Sequence, residues 1–309
     1  EHTAAVKTVA GVPRLVVDGE VAAPVFYKFK NYSAYDRGRW SESAERMERE
    51  AGVDLQAVSV IFGRTRNYPN GFWTKDGFDA KGAVATVREA MRRSPKAKFL
   101  VSVAVFPYPE FTLEHPDEAW RVDGGDFAYG NESVIYGTTN NPAALPAGRW
   151  AWISYASPAW RAETKKCLAA FVDELRRTRT SKRVIGLHFC GFRDWQFSPT
   201  DHPDRSETMR RAWQARGKGL SLDFFRQRCG NEAEDDLAAF AKERFGKETV
   251  AVRWCLAAFN GGYGGSYDIA DLQSYIDTAN NTLGLQECLD IAQARVNRFL
   301  VAMGMDPVE

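Results

Sequence analysis

The sequence predicts an α/β protein of the (β/α)8 TIM-barrel type, with an N-terminal β-hairpin and a long aromatic loop after the third core strand. Three observations lead to this fold class. Short apolar runs typical of strands alternate with segments of helical periodicity, which is the pattern of parallel βαβ units. An Asp-Gly pair separates two strand-like runs within residues 15–21, a strong signal for a hairpin turn. Residues 108–157 follow neither period and are rich in Trp and Tyr.

Five core strands and the helices between them can be placed by pattern. The strands are predicted at residues 24–29, 55–62, 98–106, 182–189 and 249–259. Helices are predicted at 43–52, 80–93, 157–179 and 232–245, with one or two more between 202 and 230 and a mostly helical pattern from 268 onward. Pro158 marks a helix start, because proline is favoured in the first helical turn.

A complete barrel of this type needs eight strand–helix units, and the sequence supplies five clear ones. A degenerate strand at 278–285 is one further candidate. We therefore expect a barrel that is incomplete or degenerate in its C-terminal part. Residues 1–309 are expected to form a single domain with residues 108–157 inserted as a lid or subdomain, because loops of that length are usually functional or disordered and this one is too aromatic for disorder.

The charge balance bears on the kind of partner. The chain has 41 basic and 40 acidic residues and a net charge of +1, which gives no argument for nucleic acid or for an anionic membrane surface. It contains no run of about 18 apolar residues that could span a bilayer. A soluble protein is expected, cytoplasmic or exported after signal removal, since residue 1 is Glu. A homo-oligomer or a partner chain stays open.

No cofactor and no metal are predicted. The five cysteines are widely spaced without a C-x-x-C pair, so neither a disulfide framework nor a zinc site is indicated. The four histidines lie far apart in the sequence. The glycine-rich segment at 260–265 lacks the Lys-Ser/Thr that follows a phosphate-binding loop.

The end of the fourth strand is the richest candidate for a functional site. Reactive side chains of parallel α/β folds lie at the carboxyl ends of strands. Here His188, Arg193, Asp194 and Trp195 fall within eight residues. Each has a structural alternative: a hydrogen-bonded core histidine, an ion pair between Arg193 and Asp194, and packing of Trp195 under the lid.

Dispersed blocks of the sequence resemble clan A glycoside hydrolases, in particular β-galactosidase-like members near family 42. The entry GVPRLVVDGE at 11–20, leading into PVFY at 24–27, is similar to the opening hairpin and first strand of that family. SPAWR at 157–161, RVIGLH at 183–188 and then Asp194 and Trp195 are similar to its helix, fourth strand and following carboxylate and aromatic. The resemblance covers roughly residues 11–245.

The resemblance implies a retaining glycosidase. Its general acid/base would end strand four, its nucleophile would end strand seven, and the two carboxyl groups would lie about 5–5.5 Å apart. Asp194 matches the acid/base position. The family usually has Glu there, and Asp is one methylene shorter. No strand seven with a Glu at its end is visible, so the nucleophile is not identified.

Further candidates come from the other strand ends and the aromatic loop. Glu110, after the third strand, is a candidate second catalytic carboxylate; otherwise it is a solvated loop residue. The candidate substrate-binding residues, which stack on or hydrogen-bond to a sugar, are His188, Trp195, Trp73, Tyr108 and Trp150. For the last three the alternative is packing of the lid.

The function expected from these residues is that of a glycosidase-like carbohydrate-active protein, with Asp194 as general acid/base. The alternative is a non-catalytic carbohydrate-binding or partial-barrel protein that lacks the nucleophile. A third alternative, a lyase or aldolase, would require a strand-end lysine, for which Lys28 is the only candidate.

Overall fold

The structure is a computed structural model. It describes residues 1–22, 27–29, 48–50, 52–64, 71–130, 135–146, 149–190 and 203–253. The short segment 48–50 is helical. In these ranges no helix is long and apolar enough to cross a membrane.

A parallel sheet of five strands organises the molecule. Its strands are β4 (Tyr27–Phe29), β5 (Leu55–Ile61), β8 (Lys98–Ala104), β12 (Val184–Cys190) and β13 (Val250–Arg253). They pair in parallel in the spatial order β13-β12-β8-β5-β4. Neighbours in the sheet are therefore also consecutive among the parallel strands along the chain. In the described residues the sheet has five strands and is open, with β13 and β4 at its edges.

The strand register divides the sheet into two faces, because alternate residues of a strand point to opposite sides. We call the face that carries Ala57, Ser59 and Ile61 the inner face. Its bottom row consists of Ala57, Leu100, Gly186 and Val250. Its middle row consists of Ser59, Ser102, His188 and Val252. Its top row, at the carboxyl edge, consists of Ile61, Ala104 and Cys190.

Three long helices cover the outer face: α1 (Ala80–Arg93), α3 (Pro158–Arg177) and α5 (Leu222–Phe245). Their apolar sides share one buried cluster with the outward-facing residues of β5, β8 and β12. Local sequence sets two of the starts. Asp79 accepts a hydrogen bond from the backbone N–H of Gly82, and Ser157 accepts one from that of Trp160, which satisfies donors that a helix start leaves unpaired.

The N-terminal segment closes the inner face from below. Strands β1 (Ala4–Val9), β2 (Val12–Val17) and β3 (Glu20–Val21) form an antiparallel sheet. The β2–β3 turn places Asp18 and Gly19 at φ angles of 55° and 88°, as a tight hairpin requires. Its apolar residues join the inner face in a second buried cluster, which contains Ala4, Leu15, Val17, Leu55, Ala57, Leu100, Ile185, Val250 and Val252.

A short hairpin and a longer insertion follow the carboxyl ends of β5 and β8. Strands β6 (Trp73–Thr74) and β7 (Gly77–Phe78) form a hairpin before α1. The insertion contains α2 (Phe111–Glu114), a 3-10 turn at Pro116–Glu118, β9 (Phe127–Gly130), β10 (Ile135–Thr139), a 3-10 turn at Pro142–Ala144 and β11 (Trp150–Ala151). Its strands form a separate antiparallel sheet in the order β10-β9-β11.

Most predicted elements are present, with differences at their ends. The helix at 80–93 has the predicted bounds. The fourth strand begins at Val184 instead of 182, because Thr180–Arg183 form a 3-10 turn. Beyond α4 (Glu207–Arg216), the chain forms one continuous helix, α5, where the pattern suggested a start near 232. Packing of its buried side chains against α3 offsets the cost of Gly230 inside the helix.

Candidate site at the carboxyl edge of the parallel sheet

Three of the four residues in the middle row of the inner face are polar. Ser59, Ser102 and His188 stand side by side on three neighbouring strands and are at most 4% exposed. The Ser102 Oγ and the His188 Nδ1 are 2.9 Å apart and hydrogen-bonded. Polar groups at this depth are costly unless they are hydrogen-bonded, so the row is a specific feature of this sheet.

An apolar cover lies at the top row. Ile61 and Ala104 pack with Phe106 and Trp150 in one buried cluster. The rings of Phe106 and Trp150 are stacked, with centroids 6.0 Å apart and an interplanar angle of 26°. Trp150 belongs to β11 of the insertion, so the insertion reaches the inner face at its carboxyl edge. The N-terminal strands β1–β3 cover the inner face at its opposite, amino end.

His188 fits the structural alternative raised by the sequence, since it is fully buried and hydrogen-bonded. It also lies on the inner face, one row below the strand end. A role of His188 in substrate binding stays a prediction.

Trp73 and Tyr108 come together, but in the cluster on the helix side of the sheet. Their ring centroids are 5.8 Å apart, and Phe111 lies edge-on to both. The Tyr108 hydroxyl donates to the Glu114 carboxylate at 2.6 Å. Burial and this acceptor raise the pKa of Tyr108, so the phenol stays protonated. Both rings have a packing role here, and sugar binding by them stays a prediction.

Glu110 is exposed and immediately precedes α2. Its backbone carbonyl accepts hydrogen bonds from the Leu113 and Glu114 N–H groups. Its neighbours Tyr108 and Phe111 belong to the helix-side cluster. None of the inner-face positions of the described strands carries a carboxylate. Glu110 as a second catalytic carboxylate stays a prediction.

Two further groups of predicted site residues remain, at the end of β12 and in β4. Asp194, Trp195 and Arg193 lie outside the described residues. Lys28 lies in β4 opposite Ala57, and its side chain is outside the description. In the described ranges no group of three or more His, Cys, Asp or Glu side chains could hold a metal ion.

A buried carboxylate that the sequence did not single out anchors the insertion. Asp204 is fully buried; its Oδ2 accepts from the Ser154 hydroxyl at 2.7 Å and its Oδ1 from the Ser206 N–H at 3.0 Å. Burial raises the pKa of the Asp204 carboxyl, against the effect of these hydrogen bonds and of Arg226. The Arg205 N–H also donates to the Arg121 carbonyl. These contacts join the segment before α4 to the insertion.

Sequence reasoning missed Ser59 and Ser102 as well. The available signal was a single hydroxyl residue in each of two mostly apolar strands. The two buried cysteines described, Cys167 and Cys229, match the expected small core residues. Burial raises the pKa of the Cys167 thiol to about 12 and raises that of Cys229, so neither is a thiolate at neutral pH.

No protein-family profile and no curated protein matches this chain. Among solved structures it is similar to α-L-fucosidase isoenzyme 2 from Paenibacillus thiaminolyticus, with 9% identity, a TM-score of 0.41 and coverage of 73% of this chain and 32% of that one. A β-galactosidase from Marinomonas ef1 has 14% identity, a TM-score of 0.44 and coverage of 79% and 38%. A GH36 α-galactosidase from Geobacillus stearothermophilus has 10% identity, a TM-score of 0.36 and coverage of 75% of this chain and 27% of that one. The chain thus spans about a third of the length of these glycosidases.

Proposed function

We propose that the chain is a glycoside hydrolase-like carbohydrate-active protein whose site lies at the carboxyl edge of the parallel sheet. The observation that carries the proposal is that polar Ser102 and His188 lie one row below an apolar cluster that contains Trp150 at this edge. A sugar ring needs both kinds of surface: an apolar platform for its C–H face and hydrogen-bonding groups for its hydroxyls.

The strand order supports a barrel as the parent architecture. Doubly wound sheets reverse their strand order at a switch point, whereas the five strands here follow one another without reversal. In the described part of the chain, the three long helices α1, α3 and α5 pack on the outer face, as in a (β/α)8 barrel. In such barrels the carboxyl edge carries the active site, and the strand ends of β8 and β12 lie there.

Asp194 is the proposed general acid/base. It follows β12 by four residues, and the resemblance to clan A enzymes assigns it this role. A general acid delivers a proton to the glycosidic oxygen as the bond breaks, and the conjugate base then activates water. The insertion serves as a lid that contributes Trp150 as the stacking platform.

One observation favours the alternative, a carbohydrate-binding protein without hydrolysis. The inner-face positions of the described strands carry no carboxylate, and Glu110 lies beside the helix-side cluster. In that case the site binds a sugar and leaves its glycosidic bond intact.

Substitution of Asp194 by Asn separates the two functions. The amide keeps the size of the side chain and removes its ionisable proton. For an enzyme, we expect Asp194→Asn to lower kcat for aryl glycosides by about 100-fold or more, with an unchanged Tm. Asp173→Asn on α3 is the matched control and should keep full turnover. Unchanged turnover in Asp194→Asn contradicts the acid/base role. Sugar binding by a wild type that lacks turnover supports the binding protein.

A further inference from the structure

Basic side chains are concentrated on one part of the outer surface. Residues 81–97 cover most of α1 and the loop after it, and residues 174–183 cover the end of α3 and the 3-10 turn that follows. Together these two stretches hold ten of the 41 basic residues and two of the 40 acidic ones, so acidic residues outnumber basic ones in the rest of the chain. We call residues 81–97 and 174–183 the basic strip.

The two stretches of the basic strip are neighbours in space. Helix α1 packs against α3 and against the 3-10 turn. The Arg183 guanidinium fastens that turn to α1, because it donates to three carbonyls at the end of the helix and in the loop after it, those of Met91, Ser94 and Ala97. Strands β8 and β12 begin immediately after the two stretches. The strip therefore ends at the amino edge of the sheet, opposite to the candidate site.

The two carboxylates of the basic strip are already engaged by arginines. Glu89 accepts hydrogen bonds from both Arg92 and Arg93 at 2.7–2.9 Å. Glu174 accepts two from Arg177 at 2.6 Å. These arginines lie in the last turns of α1 and α3, where a positive charge stabilises the end of a helix. They have a structural reason to be there.

Five further cations of the basic strip lie outside these contacts. They are exposed, and within the described ranges none of them forms an ion pair: Lys81, Arg88, Lys96, Arg179 and Lys182. The first two precede the last turn of α1, and the other three follow the ends of α1 and α3, so stabilisation of a helix end does not account for them. The Glu48 carboxylate, at the edge of the strip, bonds to the backbone N–H groups of Lys96 and Ala97.

The spacing of these cations favours a polymer with widely separated negative charges. At a rise of about 1.5 Å per residue, Lys81 and Arg88 are about 10 Å apart along α1, and the helix is about 20 Å long. Five cations over that length are sparser than the phosphates of double-stranded DNA, which has one charge per about 1.7 Å. Neither stretch contains an aromatic residue, the usual platform for the bases of a single strand and a common anchor at a membrane surface.

We propose that the basic strip binds a linear acidic polysaccharide that carries one carboxylate per sugar. Its exposed lysines and arginines pair with successive carboxylates, which are groups that a guanidinium binds well. Residues 108–157 hold seven acidic and two basic residues, so the insertion repels the same polymer and the carboxyl edge stays free for the site proposed above. The choice of a polysaccharide among linear polyanions rests on the proposed function, and the charge pattern of the strip is independent of it.

Two triple variants with the same net charge test the basic strip. The strip variant replaces three of its exposed cations: Arg88→Gln, Lys96→Gln and Lys182→Gln. The matched control replaces three exposed cations of α4 and the turn after it: Arg210→Gln, Arg211→Gln and Lys218→Gln. We expect the wild type to bind sodium polygalacturonate at low salt and to release it as salt screens the charges. Affinity measured by calorimetry should fall about tenfold in the strip variant and stay within about twofold in the control.

Three comparison probes decide what the basic strip recognises: neutral dextran, a short DNA duplex and phosphatidylserine vesicles. Loss of polygalacturonate binding in the strip variant alone supports the inference. A wild type that does not bind polygalacturonate, or equal losses in the two variants, overturns it. So does binding of dextran, DNA or vesicles that is as tight as that of polygalacturonate and depends on the strip. Asp194→Asn should bind polygalacturonate like the wild type, so failure of the strip and failure of the acid/base role are separate results.

Discussion

At the scale of single residues, Gly186 is fixed by its neighbour. A Cβ at this position would overlap the carbonyl oxygen of Val250 and lie 2.8 Å from its Cγ2. We therefore expect Gly186→Ala to lower the free energy of unfolding by about 1–3 kcal/mol, the usual cost of overpacking. Urea denaturation measures this. Gly137→Ala is the control, since its nearest contact would be an ordinary 3.4 Å. Equal losses in the two variants would show that β12 and β13 are not in close contact here.

Asp204 makes a second residue-scale prediction, on pH. Its carboxyl has a raised pKa in the folded protein because it is buried. Such a group contributes stability that is complete below the unfolded pKa and is lost as the pH rises through the folded pKa. Asn cannot ionise at this position. Between about pH 4 and pH 7, the free energy of unfolding of the wild type should therefore fall relative to that of Asp204→Asn.

Asp173 provides the opposite case for that experiment. The hydrogen bond from Arg244 holds the pKa of the Asp173 carboxyl below its usual value. The contribution of Asp173 to the free energy of unfolding is present above the unfolded pKa and is lost as the pH falls through the folded pKa. Asp173→Asn should therefore lose ground to the wild type as the pH rises from about 2 to about 4, below the interval in which Asp204 acts. Urea titrations at stepped pH compare both variants, and slopes of the same sign would refute the assignment for Asp204.

At the scale of elements, Lys247 fastens the N-terminal segment to the sheet. Its Nζ donates to the carbonyls of His2, Ser181 and Val184 at 2.7–2.8 Å. Lys247→Met leaves three carbonyls without this donor, and we expect it to reduce the free energy of unfolding by about 2–3 kcal/mol. Proteases should also cut within residues 1–22 sooner. Lys166→Met is the control, because Lys166 is 71% exposed and should change stability by less than about 0.5 kcal/mol. Equal losses of stability in Lys247→Met and Lys166→Met would mean that Lys247 does not hold the N-terminal segment.

The sequence predicts elements well where the signal is local. The Asp18-Gly19 turn and the Asp79 and Ser157 caps are written in neighbouring residues, and the corresponding hairpin and helices are present. The middle row could not be found this way. That Ser102 stands beside His188 depends on the register between β8 and β12, and a β-bulge at Val184–Gly186 shifts that register. Trp150 reaches the inner face through long-range pairing of β11 with β9, which no local pattern encodes.

At the scale of the whole molecule, the two ends of the inner face differ. The N-terminal strands β1–β3 fill the amino end with apolar side chains, so we expect a ligand to enter at the carboxyl edge. There the polar row, the Trp150 cover and the end of the strand that leads to Asp194 meet. We therefore expect a sugar to bind at this edge.

A crystal structure with a bound monosaccharide tests that claim most directly. We predict sugar density at the carboxyl edge, within hydrogen-bonding distance of His188 and against the Trp150 ring. Trp150→Ala is the matched soak and should lose the density while the fold is kept. Sugar bound on the helix side of the sheet, near Trp73 and Tyr108, would contradict a site at the carboxyl edge.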